Sequence, residues 1–319
     1  MELILTNLTF SLNATMPIFF VMVIGWWIKK KNFLDESATA KVNQLVFKFF
    51  LPALLFVDLA TEDFSAIWDT RMVLFCFVAT LLSIGIAAAF SLLDKNKSER
   101  GEIIQAAYRS GAATLGIVFM TNIYDNASMM ALIILGSVPL YNVAAVIILY
   151  LTSPENQNHS KQDLWKKTVK NVVTNPILLG IFFGMLWSVL KLPQPPMAMK
   201  TVTYLGNIAS PLALIALGAS FELPDLKEKG KQTLGVTAIK LCLLCMIFLP
   251  VAVWLGFRDE KLVAILVMLG SATTSSSFIM AKNMGHKGTV SSCAVMVTTL
   301  LSSFTLTFWL FLLKMWEFI

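Results

Sequence analysis

Polar residues interrupt two otherwise apolar segments of the chain, one in each half. The first interruption lies in the segment 103–123 and combines a cation, two hydroxyls and a glycine: Arg109, Ser110, Gly111 and Thr114. The second lies in 262–281 and is a run of hydroxyl residues: Thr273, Thr274, Ser275, Ser276 and Ser277. Such residues weaken a membrane helix and offer polar groups to a passing solute. A pair of interrupted spans predicts the binding site of a transporter.

Arg109 is the strongest candidate for binding a charged solute. A guanidinium group can engage both oxygens of a carboxylate. An arginine near the bilayer centre costs about 3 kcal/mol or more, so it usually faces a bundle interior or a wet cavity. The alternative is that the Arg109 side chain snorkels to the cytoplasmic interface. The adjoining small residues favour the binding role.

Two further polar residues lie inside other predicted spans. Lys240, in the span 233–256, is either an accessory cation at the site or a snorkelling side chain, and snorkelling is favoured. Asn142, in the span 127–151, either lines the cavity or pairs with a neighbouring helix, and pairing is favoured. Both residues are therefore secondary candidates for substrate binding.

Composition places the chain in the membrane. Its 319 residues are 57% hydrophobic and only 14% charged, against about 25% charged in ordinary soluble domains. Apolar runs of about 20 residues recur along the whole length, which is typical of an all-α polytopic membrane protein. The net charge of +6 resides in short loops, so no nucleic-acid partner is expected. The four cysteines lie in spans without metal-binding neighbours, and no metal site is predicted.

The hydrophobic pattern predicts ten transmembrane helices. They cover 8–28, 42–60, 72–93, 103–123, 127–151, 175–190, 197–221, 233–256, 262–281 and 289–316. A polar, lysine-rich cytoplasmic linker at 152–170 separates a first five-helix half, 1–151, from a second, 171–319.

The distribution of basic residues predicts the orientation of these spans. Of the 25 Lys and Arg residues, sixteen lie in loops on one side and six on the other. Because basic loops stay in the cytoplasm, both termini are expected outside the cytoplasmic (inner) membrane. Five spans per half then force the halves into opposite orientations. The sequence therefore predicts a 5+5 inverted repeat, with interrupted spans at equivalent positions four and nine.

Five ordered segments carry a resemblance to a known family. They are residues 50–56 (FLPALLF), 109–110 with 115–117 (RS and LGI), 175–177 (NPI), 210–218 (SPLALIALG) and 277–282 (SFIMAK). In these segments the chain resembles the auxin efflux carrier family of permeases, whose bacterial members are often described as malate or malonate permeases. The resemblance extends over the full length, in the right order.

The resemblance implies an NhaA-like, bile-acid-transporter-like architecture. Helices at 8–28, 42–60 and 175–221 would form a scaffold, through which a homodimer could assemble. Helices at 72–151 and 233–316 would form a transport core, in which spans four and nine unwind and cross around an organic anion. The chain departs from the family at Gly111 and Val118, usually Asn and Pro, and at Ala272 and Ser276, usually Pro and often Asn.

These observations predict a secondary transporter that moves a small organic anion, such as the dicarboxylates malate or malonate, by alternating access. No enzyme activity and no cofactor are expected. Because no Asp, Glu or His lies deep in a predicted span, a buried-carboxylate proton relay is not expected either. Hydroxyls and freed carbonyls leave Na⁺ coupling open. The alternatives are a carrier of an amphipathic or neutral metabolite, and a membrane receptor or sensor that does not transport.

Overall fold

The computed structural model describes residues 2–62, 68–124, 128–156 and 161–319, and every regular element within these ranges is a helix. The α-helices are α1 Glu2–Lys30, α2 Glu36–Leu45, α3 Leu51–Ala60, α4 Thr70–Ser91, α5 Arg100–Tyr108, α6 Ala112–Tyr124, α7 Ser128–Thr152, α8 Lys161–Thr174, α9 Pro176–Val189, α10 Pro196–Ser220, α11 Leu223–Glu228, α12 Gly230–Ala238, α13 Leu244–Trp254, α14 Asp259–Gly270, α15 Ser275–Asn283 and α16 Thr289–Met315.

Two π-helical turns join consecutive helices into longer ones. Val46–Phe50 joins α2 to α3, and Ile239–Leu243 joins α12 to α13. The resulting continuous helices run over Glu36–Ala60 and Gly230–Trp254. A π turn inserts a residue into the helix and often marks a functional position. Each of these turns contains a lysine, Lys48 in the first and Lys240 in the second.

The helices suit a multi-pass membrane protein. Among the described residues, six continuous helices are long and apolar enough to cross a bilayer: Glu36–Ala60, Thr70–Ser91, Met129–Thr152, Pro196–Ser220, Gly230–Trp254 and Thr289–Met315. Two helix pairs, bent by 58° between α8 and α9 and by 41° between α14 and α15, raise the number to eight if each is one span. The predicted total of ten spans remains a prediction.

The polar segment 152–170 differs from its predicted character as a loop. It contains the 3₁₀ turn Pro154–Asn156 and most of α8. The next helix, α9, begins where the sequence suggested, at Pro176. The Asn175 side chain caps it by accepting a hydrogen bond from the Ile177 backbone N–H at 3.0 Å.

Most of two short helices, α5 and α14, is enclosed by the rest of the bundle. Residues 101–108 of α5 and 262–270 of α14 are all buried. The buried part of α14 is apolar on every side, which suits a protein interior, whereas α5 also buries the polar side chains of Glu102 and Gln105. Both helices end at the interruptions noted in the sequence, so the protein places those interruptions in its core.

Helices α1 and α10 pack at very close range through glycine. A Cβ atom added at Gly218 would collide with the main chain at Met22, whereas one added at Gly85 in α4 would meet nothing within 4 Å. We therefore expect Gly218→Ala to destabilise the protein by about 1–3 kcal/mol, because main-chain atoms cannot move aside as a side chain would. Gly85→Ala should be neutral, or stabilising by up to about 1 kcal/mol.

Thermal unfolding of the two purified variants in detergent compares these effects directly. Both substitutions are Gly→Ala inside a helix, so the change in helix propensity is the same in both. The difference between their melting temperatures therefore reports the contact between α1 and α10. Equal melting temperatures for the two variants would contradict the close α1–α10 packing.

Candidate functional site

Both interruptions break their helices, and the two breaks touch. After α5 the backbone turns extended at Arg109, and after α14 it turns extended at Ser271. The Gly111 N–H donates to the Ala272 carbonyl oxygen at 2.9 Å across the two breaks. A Cβ atom at Gly111 would lie only 3.2 Å from that oxygen, so glycine permits the approach. The structure thus joins the two predicted interruptions in one place, without the prolines that the family usually has.

Hydroxyl side chains satisfy main-chain groups that the breaks release. The Thr273 hydroxyl donates to the Ala106 carbonyl oxygen at 2.7 Å, and the Thr273 N–H donates to the Thr298 hydroxyl at 3.1 Å. The Ser110 and Ser271 hydroxyls lie 2.6 Å apart, one on each break. Irregular backbone survives at membrane depth only where such partners are present. These hydrogen bonds therefore hold together the two chain segments that cross at the helix breaks.

Arg109 is buried at the first break, with only 2% of its surface exposed. Its guanidinium donates to Asn142 Oδ1 at 2.7 Å and lies 5.3 Å from the centre of the Tyr141 ring. It also approaches Met280 Sδ at 2.7 Å. The interfacial alternative for this side chain is therefore wrong, because Arg109 points into the protein. Asn142 pairs with a neighbouring helix segment, as favoured.

All partners of Arg109 among the described residues are uncharged. Gln105, with its amide oriented to satisfy both ends, accepts from Arg109 Nη1 at 3.0 Å and donates to the Ser277 carbonyl oxygen at 3.1 Å. The Arg109 Nε–H is buried and has no hydrogen-bond partner in the described part of the chain. A buried cation without a counter-charge is costly. Arg109 thus places an uncompensated positive charge at the first break, but it does not line the cavity of about 70 Å³ that lies between the two breaks and helices α1 and α10.

Lys240 is also buried, which corrects the favoured prediction that it snorkels to the interface. It is fully inaccessible to solvent, and its ammonium donates to the carbonyl oxygens of Leu269 at 2.6 Å and Met268 at 3.3 Å. These carbonyls lie in the last turn of α14, directly before the second break. Lys240 is therefore a cation at the crossing.

A cavity of about 70 Å³ lies between the breaks and the helices α1 and α10. Its lining combines small and hydroxyl residues of the breaks with apolar residues: Ile18, Gly111, Leu115, Ser210, Leu214, Ala272, Thr273, Thr274, Ser275, Val295 and Thr299. Helices α6 and α15 both begin at this cavity. Their first turns carry the positive ends of two helix dipoles. The Ala112 N–H there already donates to the Ser110 hydroxyl at 3.1 Å, and the Ser277 N–H donates to the Thr274 carbonyl oxygen at 3.0 Å.

The hydroxyl run divides between the cavity and the protein interior. Thr273, Thr274 and Ser275 line the cavity, and the Ser276 hydroxyl lies 3.2 Å from that of Thr274. Ser277 is fully buried, and its hydroxyl donates to the Thr274 carbonyl oxygen at 2.7 Å within its own helix turn. Thr114 lies in α6, but its side chain is outside the described part of the structure.

A larger, polar cavity of about 620 Å³ opens further along the same interface. Its walls come from α1, α2, the end of α10, α11, α15 and α16, and they carry charged residues of both signs: Lys29, Glu36, Glu222, Asp225, Lys282 and Lys287. The two cavities border α15 near its two ends. A solute could therefore approach the crossing from the end of α15 that carries Lys282.

Glu102 is a buried acid that the sequence prediction missed. It is 1% exposed, and its carboxylate accepts hydrogen bonds from the backbone N–H groups of Gly288 at 2.8 Å and Ser291 at 3.0 Å. The expectation that no acid lies deep in a span stays a prediction, since Glu102 lies in the first turn of α5, which begins at Arg100 rather than at 103. Both carboxylate oxygens are occupied in capping the N-terminus of α16.

Other residues around Arg109 were also missed: Gln105, Tyr141, Ser271 and Met280. Helical spacing could have identified Gln105, since it lies four residues before Arg109 on the same face of α5. The other three come from distant segments and carry no local signal. Their proximity to Arg109 or Ser110 depends on tertiary packing.

Comparisons with known proteins agree over nearly the whole chain. The family model described as "Membrane transport protein" matches residues 10–310. An "Uncharacterized transporter" of Methanothermobacter thermautotrophicus is 22% identical over 306 residues, covering 94% of this chain and 97% of the relative. The "Uncharacterized transporter YfdV" of Escherichia coli K12 is 22% identical over 277 residues, with 85% and 87% covered. A "Putative malonate transporter" of Rhizobium meliloti is 22% identical over 319 residues, with 95% of each chain covered.

Proposed function

The chain belongs to the membrane transport protein family, which is the auxin efflux carrier family, and we propose that it is a secondary carrier of a small organic anion. One observation carries the proposal: two helices begin at a single cavity where two broken spans meet. The starts of α6, at Gly111 and Leu115, and of α15, at Thr274 and Ser275, line that cavity together. Half-helix N-termini directed at a substrate carboxylate are a recurring device of such carriers.

The charge around the cavity supports an anionic substrate. Arg109 and Lys240 are both buried beside the breaks, and their partners among the described residues are neutral. Two helix dipoles add partial positive charge at the cavity itself. An entering carboxylate would compensate this charge and supply an acceptor for the hydroxyls of Thr274 and Ser275. A substrate with two carboxylates, such as malonate or malate, fits two converging N-termini.

The architecture we propose is the ten-span 5+5 inverted repeat with a mobile core. Close packing of α3 with α9 and α10 supports a scaffold, and α1 lies where scaffold and core meet, since it packs as closely against the core helix α16 as against α10. The two cavities both lie between these scaffold helices and the broken helices of the core. Movement of the core along this interface would expose the crossing to each side in turn. We further propose that both termini lie outside the cell membrane, and that scaffold helices form a homodimer.

The carrier needs no buried carboxylate as a proton relay. Glu102 is the buried acid of α5, and both its oxygens accept main-chain N–H groups of the α16 N-terminus. A carboxylate so engaged stabilises a helix end instead of exchanging protons with solvent. Membrane potential or anion exchange would then drive transport.

A second candidate substrate class is an amphipathic or neutral metabolite. The cavity lining that favours it is apolar on the scaffold side, where Ile18 and Leu214 face the breaks, together with Leu115 and Val295. Such a lining would accommodate a hydrocarbon part but would contribute nothing to the binding of a second carboxylate. The two classes differ in whether charge is required for binding.

Ligand-induced thermal stabilisation separates these classes. Purified protein in detergent is heated with malonate, malate, acetate or malonamide, the neutral diamide of malonate. We expect malonate to raise the melting temperature and malonamide to have no effect, since a ligand at 100 times its Kd stabilises the folded state by about 2.7 kcal/mol. Equal stabilisation by malonamide would contradict the anion proposal and favour a neutral metabolite.

A further inference from the structure

Lys240 is a buried cation that is held by main-chain carbonyls. Its ammonium lies 2.6 Å from the Leu269 carbonyl oxygen, and Lys240 has no exposed surface. The ion pairs of the described residues involve Lys229 and Lys261 and do not include Lys240. Lys48, in the other π turn, is by contrast exposed. The burial of Lys240 therefore needs an explanation beyond helix position.

The carbonyls that bind Lys240 are free because α14 ends there. The last N–H of the helix ladder belongs to Ser271, which donates to the Val267 carbonyl oxygen at 3.1 Å. Two residues later, the Thr273 N–H donates to the Thr298 hydroxyl and leaves the Leu269 carbonyl without its helical partner. Lys240 takes that position. It satisfies an oxygen at the negative end of the α14 dipole.

Freed carbonyls at the C-terminal end of a half-helix are the groups that hold a coupling Na⁺ in many secondary carriers. An ammonium group supplies the same single positive charge to the same kind of oxygen ligands. Next to it lies a void of about 10 Å³, lined in part by the hydroxyls of Ser110 and Ser137. That volume holds about one water molecule, and Lys240 itself is among the residues that line it.

We propose that the Lys240 ammonium is a tethered cation that occupies the position of a coupling Na⁺, so that transport by this protein is independent of Na⁺. The inference rests on the proposed carrier function, since it concerns the ion that would accompany the substrate. It extends that function by assigning the Lys240 ammonium as a fixed positive charge at the C-terminal end of α14. Arg109 provides the corresponding positive charge at the C-terminal end of α5.

Uptake of labelled malonate into proteoliposomes tests the inference in Na⁺ and in choline buffer. Wild-type uptake should be equal in the two. Lys240→Met keeps the side-chain length without the charge, and its uptake in choline should fall about tenfold or more, since the carbonyls lose a charged donor. Na⁺ should restore a large part of uptake in Lys240→Ala, which leaves room for the ion, and much less in Lys240→Met, whose side chain fills the space. Lys48→Met, the matched change in the exposed π-turn lysine, should behave as wild type in both buffers.

Thermal unfolding provides an arm that needs no substrate. The melting temperature of Lys240→Ala, which leaves room for an ion, should rise on replacing choline chloride with NaCl, and methylammonium should have a similar effect. Wild type and Lys48→Ala should not respond. These melting temperatures test the role of Lys240 even if the wild type takes up no malonate. A lack of malonate uptake would contradict the proposed substrate and leave the test of Lys240 intact.

Three results would overturn the inference. The first is Na⁺ stimulation of wild-type uptake. The second is undiminished uptake by Lys240→Met in choline. The third is a folded Lys240→Ala variant whose lost uptake and melting temperature are both insensitive to Na⁺ and methylammonium, which would indicate that Lys240 acts only as a structural or substrate contact.

Discussion

Substituting Arg109 with glutamine is expected to lower malonate uptake about 30-fold or more. Arg109 is 2% exposed and has a buried Nε–H without a partner in the described chain. Loss of one member of a buried charge pair typically costs about 2–5 kcal/mol, and a bound carboxylate would form such a pair with Arg109. The measurement is the initial rate of labelled malonate uptake by proteoliposomes containing equal amounts of folded protein.

The matched control for this prediction is Arg71→Gln. Arg71 is an exposed arginine at the start of α4, away from the crossing, so its substitution should leave uptake unchanged. Arg109→Lys keeps a charge but loses the planar fork, and should retain more uptake than Arg109→Gln. Full activity of Arg109→Gln would exclude a role for this residue in binding.

An acid placed beside Arg109 provides an independent test of the same charge. Asn142 Oδ1 already accepts from Arg109 Nη2 at 2.7 Å, so Asn142→Asp would form an internal ion pair without removing the arginine. We expect this variant to lose uptake to a similar extent as Arg109→Gln, because the fixed carboxylate competes with the substrate. Retained uptake together with an intact fold would show that Arg109 does not need to be available to the anion.

Removal of the Glu102 carboxylate is expected to produce the largest loss of stability. Glu102→Ala would leave the buried N–H groups of Gly288 and Ser291 without acceptors. Each orphaned donor costs about 1–3 kcal/mol, so the variant should lose about 2–6 kcal/mol of unfolding free energy. The same change at the exposed Glu36 at the start of α2, Glu36→Ala, is the control and should have little effect.

A milder substitution at Glu102 tests proton coupling separately. Glu102→Gln keeps one acceptor and removes the titratable group, so it should fold and transport without any change in the response to an imposed pH gradient. The contradicting result has two parts: a pH gradient stimulates uptake by the wild type, and Glu102→Gln abolishes that stimulation. It would show that a buried carboxylate relays protons.

The helix breaks were predictable because their causes are local. Gly111 and the Ser-Thr cluster at 271–277 weaken helices through their own backbone preferences. Those preferences sufficed even though Val118 and Ala272 stand where related permeases usually have prolines. The family resemblance implied that these two segments cross, and the Gly111–Ala272 hydrogen bond of 2.9 Å joins them.

The environments of the charged residues were not predictable from the sequence in the same way. Lys48 and Lys240 occupy similar depths in predicted spans and both fall in π turns, yet one is exposed and the other is completely buried. The difference lies in what faces each lysine, and for Lys240 this is the free end of α14, which is close only in the folded protein. Glu102 was missed because the predicted boundary of its span began one residue too late.

Electrogenic uptake by the wild-type protein tests the central claim most directly. Proteoliposomes free of Na⁺ and of a pH gradient receive labelled malonate outside, and a K⁺ gradient with valinomycin sets the membrane potential. Each negative charge gains about 2.3 kcal/mol per 100 mV on moving toward the positive side. An inside-positive potential should therefore drive accumulation, and an inside-negative one should abolish it. If malonate binds but is neither taken up nor exchanged against internal malonate under either potential, the result would contradict a carrier and indicate a receptor.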